Sequence, residues 1–324
     1  MYDVITFGSA TQDIFLTVNP EVKKGREFST GKGFSFSLGS KIKAEDIFFS
    51  SGGGGTNTAV TFSRQGLRTA YLGKVGDDFS GEKVLDEIKK EGVDIRYVKK
   101  IKEARTNHSV ILNIPSQDRT ILVYRGASEC IKMRDIPKEI ESKWLYIAPF
   151  SEKMNHFFSE LVEFGKEKGM KIAVNPSKSL LSSFSFRETL SKIDVLFLNR
   201  EEASVLTKIP FQRENDIFEV LDSITYSVVV MTKGPEGLLA SNKEKVFFSK
   251  PAPSKVEDRT GAGDSFASGF LSQFIKSEGD MAKSIEMGVA NSTACLSKRG
   301  AKNGLLKEGQ EYKKVKVHEV KGLS

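Results

Sequence analysis

The sequence contains few of the residues that build disulfide frameworks, metal centres or membrane spans. Only two cysteines and three histidines occur among its 324 residues. Cys130 and Cys295 stand in unrelated contexts, which predicts free thiols in a reducing compartment. The histidines show no metal-ligand spacing, no apolar run approaches the length of a membrane span, and the N-terminus has no basic region followed by a long apolar run. We therefore expect a cytoplasmic protein with no membrane partner.

Two common catalytic signatures are also missing. The chain has no G-x-x-x-x-G-K-[ST] string, which excludes a P-loop nucleotide site, and no G-x-S-x-G elbow, which argues against a serine hydrolase. The net charge of +7 arises from 49 basic and 42 acidic residues that are interspersed along the chain. Because no basic run is interleaved with aromatic side chains, the surplus does not indicate a nucleic-acid partner.

From about residue 132 onward, the chain alternates between apolar runs typical of buried strands and stretches with helical periodicity. The stretch 154–168 predicts an amphipathic helix. Strands are predicted at 144–148, 170–175, 193–198 and 227–232. Such alternation indicates βαβ units, which build a parallel sheet with helices on both faces. No long linker or internal repeat divides the sequence, so we expect one α/β domain over residues 1–324.

Two other regions contain short alternating segments without helical periodicity. One lies at about 14–50 and the other at about 105–128. Within the second region, segments 109–114 and 119–124 flank a turn, a pattern typical of a β-hairpin. Together these segments predict a small sheet separate from the main one.

A Gly-rich turn precedes a helical pattern near the C-terminal end. Gly261 and Gly263 flank Ala262, and Asp264 follows at once. The first N–H groups of a helix lack internal partners and lie at the positive end of its dipole, and glycine lets an anion approach them closely. A carboxylate would repel an anion that is merely bound, but it suits a site where a hydroxyl loses its proton. The turn therefore predicts phosphoryl transfer to an alcohol, with Asp264 as base and Gly261, Ala262 and Gly263 as anion hole.

Two segments nearer the N-terminus have features of a ligand site. Four consecutive glycines at 52–55 precede a helical pattern, and Gly53 and Gly54 would let the backbone lie against a ligand. Asn57 offers both a donor and an acceptor, which suits sugar hydroxyls. Asp13 comes after the first predicted strand, and open α/β sheets bind ligands at the carboxyl ends of their strands. A flexible linker and a turn aspartate are the alternative interpretations.

The string D-x-T-G-A-G-D-S-F-x-x-G at 258–269 resembles the C-terminal signature of the ribokinase-like (PfkB) family of small-molecule kinases. The glycines before Asn57 resemble the G-G-x-x-x-N of that family, and the resemblance extends from Gly8 to Gly300. It implies a ribokinase-like α/β fold with a central, mostly parallel sheet, helices on both faces and a small β-sheet lid. It also implies an ATP-dependent kinase that uses Mg²⁺, binds a small sugar or sugar-like substrate and forms a homodimer through the lid.

The same resemblance assigns roles to matching residues. Substrate hydroxyls are expected at Asp13, Gly53, Gly54 and Asn57. The N-x-x-E motif formed by Asn199 and Glu202 implies Mg²⁺ held through water, which agrees with the ion's preference for oxygen and few direct protein ligands. The nucleotide is expected at the T-x-G-x-x-G motif that contains Thr232, Lys233, Gly234 and Gly237, with Lys233 near its phosphates. Asn291 is expected beside the adenine. Many members hold a monovalent cation such as K⁺ at the positions of Asp258, Thr260 and Gly300.

Two positions depart from ribokinases proper. Gly54 stands where those enzymes carry Lys, and Thr11 stands where they carry Asn, two residues before Asp13. The acceptor therefore stays open among fructose-like sugars, 2-keto-3-deoxy sugar acids and nucleosides, and Arg125 would meet a carboxylate or phosphate from the lid. The phosphate donor stays open as well, because ADP-dependent relatives share the architecture. The alternative functions are an adenosine-like nucleoside kinase and a non-catalytic sensor of a sugar or nucleotide.

Overall fold

A computed structural model describes residues 1–26, 28, 30–115 and 117–320 of the chain. A ten-stranded sheet runs through its centre. In spatial order its strands are β16 (Val317–Val320), β15 (Val246–Ser249), β14 (Leu238–Ser241), β13 (Val228–Thr232), β12 (Val195–Asn199), β11 (Lys171–Val174), β10 (Ser142–Ile147), β1 (Tyr2–Phe7), β6 (Thr69–Gly76) and β7 (Val98–Ile101). Neighbours are parallel from β13 to β7 and antiparallel from β13 to β16. The sheet is thus mostly parallel, and β10 to β13 occupy the four apolar runs that predicted strands.

Helices cover both faces of this sheet, because alternate residues of each buried strand point to opposite sides. In β12, Leu196 packs into one apolar cluster and Phe197 into the other. On the Phe197 side lie α1 (Gly54–Arg64), α8 (Ala262–Lys276) and α9 (Met281–Leu296). On the Leu196 side lie α3 (Asn155–Glu167), α4 (Lys178–Leu181), α5 (Phe184–Thr189), α6 (Arg200–Thr207) and α7 (Glu214–Ile224). Within the described residues, none of the helices has the length and apolarity needed to cross a membrane.

A separate four-stranded sheet, here called the lid, confirms the small sheet that the alternating segments predicted. Its strands, in spatial order, are β5 (Asp46–Gly52), β2 (Thr11–Thr17), β8 (Asn107–Asn113) and β9 (Thr120–Tyr124). β2 and β8 are parallel, and the other neighbours are antiparallel. A short hairpin, β3 (Val22–Lys24) and β4 (Lys32–Phe34), lies between β2 and β5 in the chain. The helix α2 (Phe79–Lys90) follows β6 and contributes to a third apolar cluster.

The two faces of the lid differ in exposure. Phe15 and Ile111 lie on one face, and both are buried. On the opposite face an apolar row crosses all four strands, and its two ends, Phe49 and Leu122, are 47% and 57% exposed. The register places these residues side by side in the row Phe49, Ile14, Val110 and Leu122. The lid therefore presents one face to the body of the protein and an apolar face to the outside.

Candidate active site

The Gly-rich turn opens α8 as the sequence predicted. Gly261 is the N-cap residue with φ 77°, a left-handed conformation that favours glycine. An added Cβ at Gly261 would lie 2.6 Å from the Cβ of Ala301, so the position also has no room for a side chain. At Gly263 an added Cβ would meet no atom within 4 Å, which means that open space lies beside the turn. The turn therefore offers the first N–H groups of α8 to that space.

Asp264 lies in the first turn of α8 and contacts the start of α1. Its Oδ2 accepts a hydrogen bond of 2.9 Å from Nδ2 of Asn57. Burial raises the pKa of Asp264 above its ordinary value, while the Asn57 hydrogen bond and the charge of Lys302 lower it. An added Cβ at Gly54 would lie 3.4 Å from Oδ1 of Asp264. The two helix N-termini thus meet around one carboxylate.

The glycine loop between β5 and α1 is built into the fold and is not a flexible linker. Gly53 has φ 95°, and an added Cβ there would lie 2.4 Å from the backbone oxygen of Ser9. The hydroxyl of Thr56 donates to the backbone oxygen of Gly52 at 2.7 Å. Asn57 is buried, and among the described residues its Oδ1 has no hydrogen-bond partner. A buried acceptor without a partner costs free energy, so Oδ1 is a polar atom that the described residues leave unsatisfied.

Asp13 lies beside the same loop and follows the carboxyl end of β1, where the sequence placed it. It is part of the lid strand β2 and not of a turn, because the chain becomes extended again within three residues of Gly8. An added Cβ at Gly52 would lie 2.0 Å from Oδ2 of Asp13, so the carboxyl group packs directly over that glycine. Burial raises the pKa of Asp13 to about 6, although the charge of Lys302 opposes this.

Lys302 is a residue of this region that the sequence patterns missed. Its side chain is 2% exposed, and its Nζ donates to Oγ of Ser51 at 2.7 Å. Burial lowers the pKa of Lys302 to about 8, while nearby carboxylates, including Asp13 and Asp264, oppose this. The one available signal was its position two residues after Gly300, in a segment that the family resemblance already placed near the site.

Two motifs lie next to each other at the carboxyl edge of the main sheet. Asn199 and Thr232 end the neighbouring strands β12 and β13 and are paired in register. Asn199 and Glu202 form a capping box: Oδ1 of Asn199 accepts from the N–H of Glu202 at 2.9 Å, and Oε2 of Glu202 accepts from the N–H of Asn199 at 2.8 Å. Burial raises the pKa of Glu202. The capping function alone accounts for these contacts, and the magnesium role stays a prediction.

The turn after β13 is held by glycines. Gly234 has φ 58° and Gly237 has φ 104°, and an added Cβ at Gly237 would lie 2.1 Å from the backbone oxygen of Ser249. Lys233 does not fit the expectation that its charge meets phosphate. Its Nζ lies 2.6 Å from Oε1 of Glu214 and 5.2 Å from the ring centre of Phe248, so the ammonium already has partners inside the protein.

Asn291 also needs correction. It is completely buried in α9, where its Nδ2 donates to the backbone oxygen of Ser265 at 2.7 Å and its Oδ1 accepts from the N–H of Leu306 at 2.9 Å. Both ends of the amide are therefore satisfied by the protein, and the residue joins α8, α9 and the following segment. It has no exposed surface with which to contact adenine.

The residues implied in cation binding lie together. Oδ1 of Asp258 accepts from the N–H of Thr260 at 2.9 Å, and Oδ2 accepts from the N–H of Gly300 at 2.9 Å. The carboxylate thus joins two loops, and cation binding through backbone oxygens stays a prediction. No group of three or more His, Cys, Asp or Glu residues suited to a metal occurs within the described ranges. Arg125 is exposed, one residue beyond the end of β9.

Comparison with known proteins decides the family. A model of the pfkB family carbohydrate kinases matches residues 30–308. The chain belongs to this family. The ribokinase of Staphylococcus aureus is 26% identical over 304 residues, which cover 92% of this chain and 94% of that protein. A nucleoside kinase of Methanothermobacter thermautotrophicus is 26% identical over 229 residues, which cover 69% of this chain and 72% of that protein.

Solved structures show the ribokinase-like fold. A ribokinase of Arabidopsis thaliana complexed with ribose and ATP has a TM-score of 0.75 at 20% identity and covers 94% of this chain and 96% of its own. A nucleoside kinase of Methanocaldococcus jannaschii has a TM-score of 0.76 at 21% identity and covers 94% of this chain and 95% of its own. As a pfkB family member, the chain is a phosphotransferase with an alcohol group as acceptor, a sugar or nucleoside kinase.

Proposed function

We propose that the chain transfers the γ-phosphate of ATP to a hydroxyl of a small sugar or sugar-like molecule. The hydrogen bond between Asp264 and Asn57 carries this proposal, because it fixes a carboxylate where two helix N-termini meet. Asp264 takes the hydroxyl proton as the acceptor oxygen bonds to the γ-phosphorus, while the bond from that phosphorus to the β–γ bridging oxygen breaks and ADP leaves. The N–H groups at Gly261, Ala262 and Gly263 stabilise the charge of the transferred phosphoryl group. The transition state is loose, so the proton leaves late and positioning contributes most of the rate.

The nucleotide would lie along the carboxyl ends of β12 and β13. The backbone of the turn at Gly234 and Gly237, together with the Thr232 hydroxyl, would contact it. Mg²⁺ would be organised through water by Asn199 and Glu202 at the start of the neighbouring helix, where hard oxygen ligands are available. When bound, this ion would offset the charge of the phosphates. Backbone oxygens near Asp258, Thr260 and Gly300 would hold a K⁺ ion, whose charge would tune the anion hole.

The acceptor would lie between the lid and the glycine loop. Oδ1 of Asn57 is an acceptor without a partner within the described residues, and a substrate hydroxyl would satisfy it. Asp13 would accept a second hydroxyl, and the backbone at Gly53 and Gly54 would let the substrate approach closely. Arg125, at the exposed end of β9, would reach an acidic group if the substrate carries one.

A nucleoside kinase is the second candidate, and the nucleoside kinase relative favours it. A base would need an aromatic face for stacking, and Phe48, in the lid strand β5, is one candidate ring. Its ring centre lies 5.7 Å from that of Phe15 and 5.0 Å from the guanidinium carbon of Arg299, so its surroundings are already occupied. This packing favours a sugar. A non-catalytic sensor would have no use for a base at Asp264.

A screen of acceptors tests the proposal. Purified protein with Mg-ATP is given sugars, 2-keto-3-deoxy sugar acids and nucleosides in turn, and ADP formation is measured against a reaction without acceptor. We expect ADP formation that depends on one sugar or sugar acid, with a phosphorylated product confirmed by mass. A preference for nucleosides would establish the second candidate, and binding without turnover would establish the sensor. Replacing ATP by ADP as donor in the same screen tests the nucleotide.

We also propose a homodimer through the outer face of the lid. The apolar row that ends at Phe49 and Leu122 supports it, because exposed apolar rows across a sheet are typical of interfaces. A second row, formed by Ile47, Leu16 and Leu112, lies beside the first on the same face. A cytoplasmic location is proposed as well, and the two free thiols, Cys130 and Cys295, support it.

A further inference from the structure

Lys302 is unusual because its ammonium group is buried and, among the residues that the structure describes, has no carboxylate in direct contact. Its hydrogen bond goes to the neutral hydroxyl of Ser51 at 2.7 Å, and its side chain is 2% exposed. Burying a charge in this way costs free energy, so the position would be expected to hold an apolar residue if packing were its only task. The presence of a buried lysine at this position therefore indicates a role other than stabilising the fold.

The backbone that carries Lys302 is held rigidly. Arg64 donates from NH1 to the backbone oxygens of Lys302 and Leu305, at 2.9 Å each. The same guanidinium forms two bonds with Glu91, from Nε at 2.8 Å and from NH2 at 2.6 Å. A planar guanidinium fixed by four hydrogen bonds permits little movement. Lys302 is thus held at one end by this clamp and at the other by Ser51.

Ser51 connects the ammonium to the glycine loop. It directly precedes Gly52, over which the carboxyl group of Asp13 packs. The same loop continues into α1, where Asn57 holds Oδ2 of Asp264 at 2.9 Å. The fixed cation therefore lies behind the loop, and the two carboxylates proposed for substrate binding and catalysis lie along it.

The charges around Lys302 are mostly negative. Four carboxylates act on it electrostatically: Glu87 from α2, Glu91 directly after α2, Asp13 from β2 and Asp264 from α8. In return, the charge of Lys302 lowers the pKa of both Asp13 and Asp264, against the effect of burial. Arg64, which clamps the backbone, is already paired with Glu91.

We propose that Lys302 is a positioning residue of the phosphoryl transfer, a fixed positive charge behind the glycine loop that keeps Asp13 and Asp264 ionised in the closed site. When a substrate and the lid exclude water, both carboxylates lose hydration, and their charged forms become costly. A buried cation offsets this cost without occupying the space of the substrate. The positive charge of Lys302 would then take the place of the lysine that ribokinases proper carry at the position of Gly54. This inference rests on the proposed function.

Replacement of Lys302 by Met tests the inference, because Met has a similar length and no charge. The matched control is Lys298→Met, which removes an exposed lysine four residues earlier in the chain. With the best acceptor, we expect Lys302→Met to lower kcat/KM by about tenfold at neutral pH, the size typical of losing one opposite charge near a carboxylate. The loss should grow at lower pH, because both carboxylates then protonate more easily. The KM for Mg-ATP and the activity of Lys298→Met should stay unchanged.

The pH profile separates this role from a structural one. In Lys302→Met the fall of kcat/KM on the acid side of its pH profile, the acid limb, should move to higher pH. A variant that is merely less stable would lose activity while its acid limb stays at the pH of the wild type. Ser51→Ala is a second variant: it removes the hydrogen bond but keeps the charge, so it should change kcat/KM with a much smaller movement of the limb. Thermal unfolding and circular dichroism check that both variants fold.

Failure of the proposed function and failure of the role of Lys302 give different results. If the wild-type protein forms no product with any acceptor, the proposed function itself fails. If the wild type is active and folded Lys302→Met keeps the wild-type acid limb, the role of Lys302 is overturned while the proposed function stands. If Lys302→Met does not fold, the comparison is made with Lys302→Gln, and an unmoved limb in that variant has the same meaning.

Discussion

Asn57 and Asp264 are joined by a hydrogen bond of 2.9 Å, although 207 positions separate them in the chain. Asn57 lies in α1, directly after the lid strand β5, and Asp264 lies in α8. The bond therefore connects the segment expected to hold the acceptor with the turn expected to hold the phosphoryl group. Such fixed geometry is what phosphoryl transfer requires, because most of its acceleration comes from positioning.

Replacing Asp264 by Asn removes the proposed base and keeps the shape of the side chain. We expect kcat to fall by about 10²–10⁴-fold, the usual contribution of general base catalysis. The affinity for Mg-ATP, measured by calorimetry, should stay near that of the wild type. Asp280→Asn is the control, because Asp280 also lies at a helix N-terminus, where it accepts a hydrogen bond from the N–H of Lys283 in the neighbouring helix α9, outside the proposed site. Near-normal turnover in Asp264→Asn would refute the base assignment.

Replacing Gly52 by Ala should displace the carboxyl group of Asp13, because the new Cβ would lie 2.0 Å from its Oδ2. We expect the KM for the acceptor to rise by about 10–100-fold, the cost of one hydrogen bond to a charged group. Gly54→Ala is the graded comparison, since its Cβ would lie 3.1 Å from the nearest atom, the Cβ of Ala148, and should have a smaller effect. Initial rates at varied acceptor measure both. An unchanged acceptor KM in Gly52→Ala would remove Asp13 from the substrate site.

The stability of the protein should depend on pH through Asp13. Burial raises its pKa from the ordinary 3.8 to about 6, so the folded protein keeps a proton that the unfolded chain has released. The stability from this group is fully present below about pH 4 and is lost as the pH rises through about 6. The loss should be about 3 kcal/mol in the free energy of unfolding.

Urea unfolding at a series of pH values measures this dependence. Asp13→Asn should flatten the change between about pH 4 and 6, while Asp86→Asn, at an exposed position of α2, should leave it as in the wild type. The same slope in Asp13→Asn as in the wild type would show that Asp13 titrates normally in the folded protein.

Replacing Leu122 by Asp places a charge in the outer face of the lid, where the leucine is 57% exposed. If two chains associate through this face, the charge would be desolvated in the interface, and we expect the dimer to dissociate at micromolar concentration. Phe184→Asp is the control, because Phe184 is also exposed, at 74%, but lies on α5. Sedimentation velocity gives the oligomeric state. A Leu122→Asp protein that sediments as the wild-type dimer would exclude this interface.

Patterns within short stretches of the sequence predicted those strands and helix starts that neighbouring residues determine. The strands β10 to β13 were predicted because buried parallel strands are continuous apolar runs. The turn at Gly261 was predicted because a helix start with positive φ favours glycine. Motif spacing also placed Asp264 and Asn57 near helix starts, where the structure has both residues, and their roles stay predictions.

The partners of the other site residues depend on contacts between distant parts of the chain, which the sequence alone does not reveal. Lys233 pairs with Glu214, and Asn291 is satisfied by Ser265 and Leu306, so neither is free for the nucleotide as the motifs suggested. Lys302 escaped notice because its partner Ser51 is 251 positions away and its charge alone predicts a surface.

The lid strand β2 carries chemically different residues on its two sides. Asp13 packs over Gly52 on the inner side, and the next residue, Ile14, belongs to the outer apolar row. Because successive side chains of a strand point to opposite faces, β2 carries a residue of the proposed acceptor site and a residue of the outer apolar row at adjacent positions. The proposed acceptor contact and the proposed dimer face are therefore separated by a single peptide unit of β2.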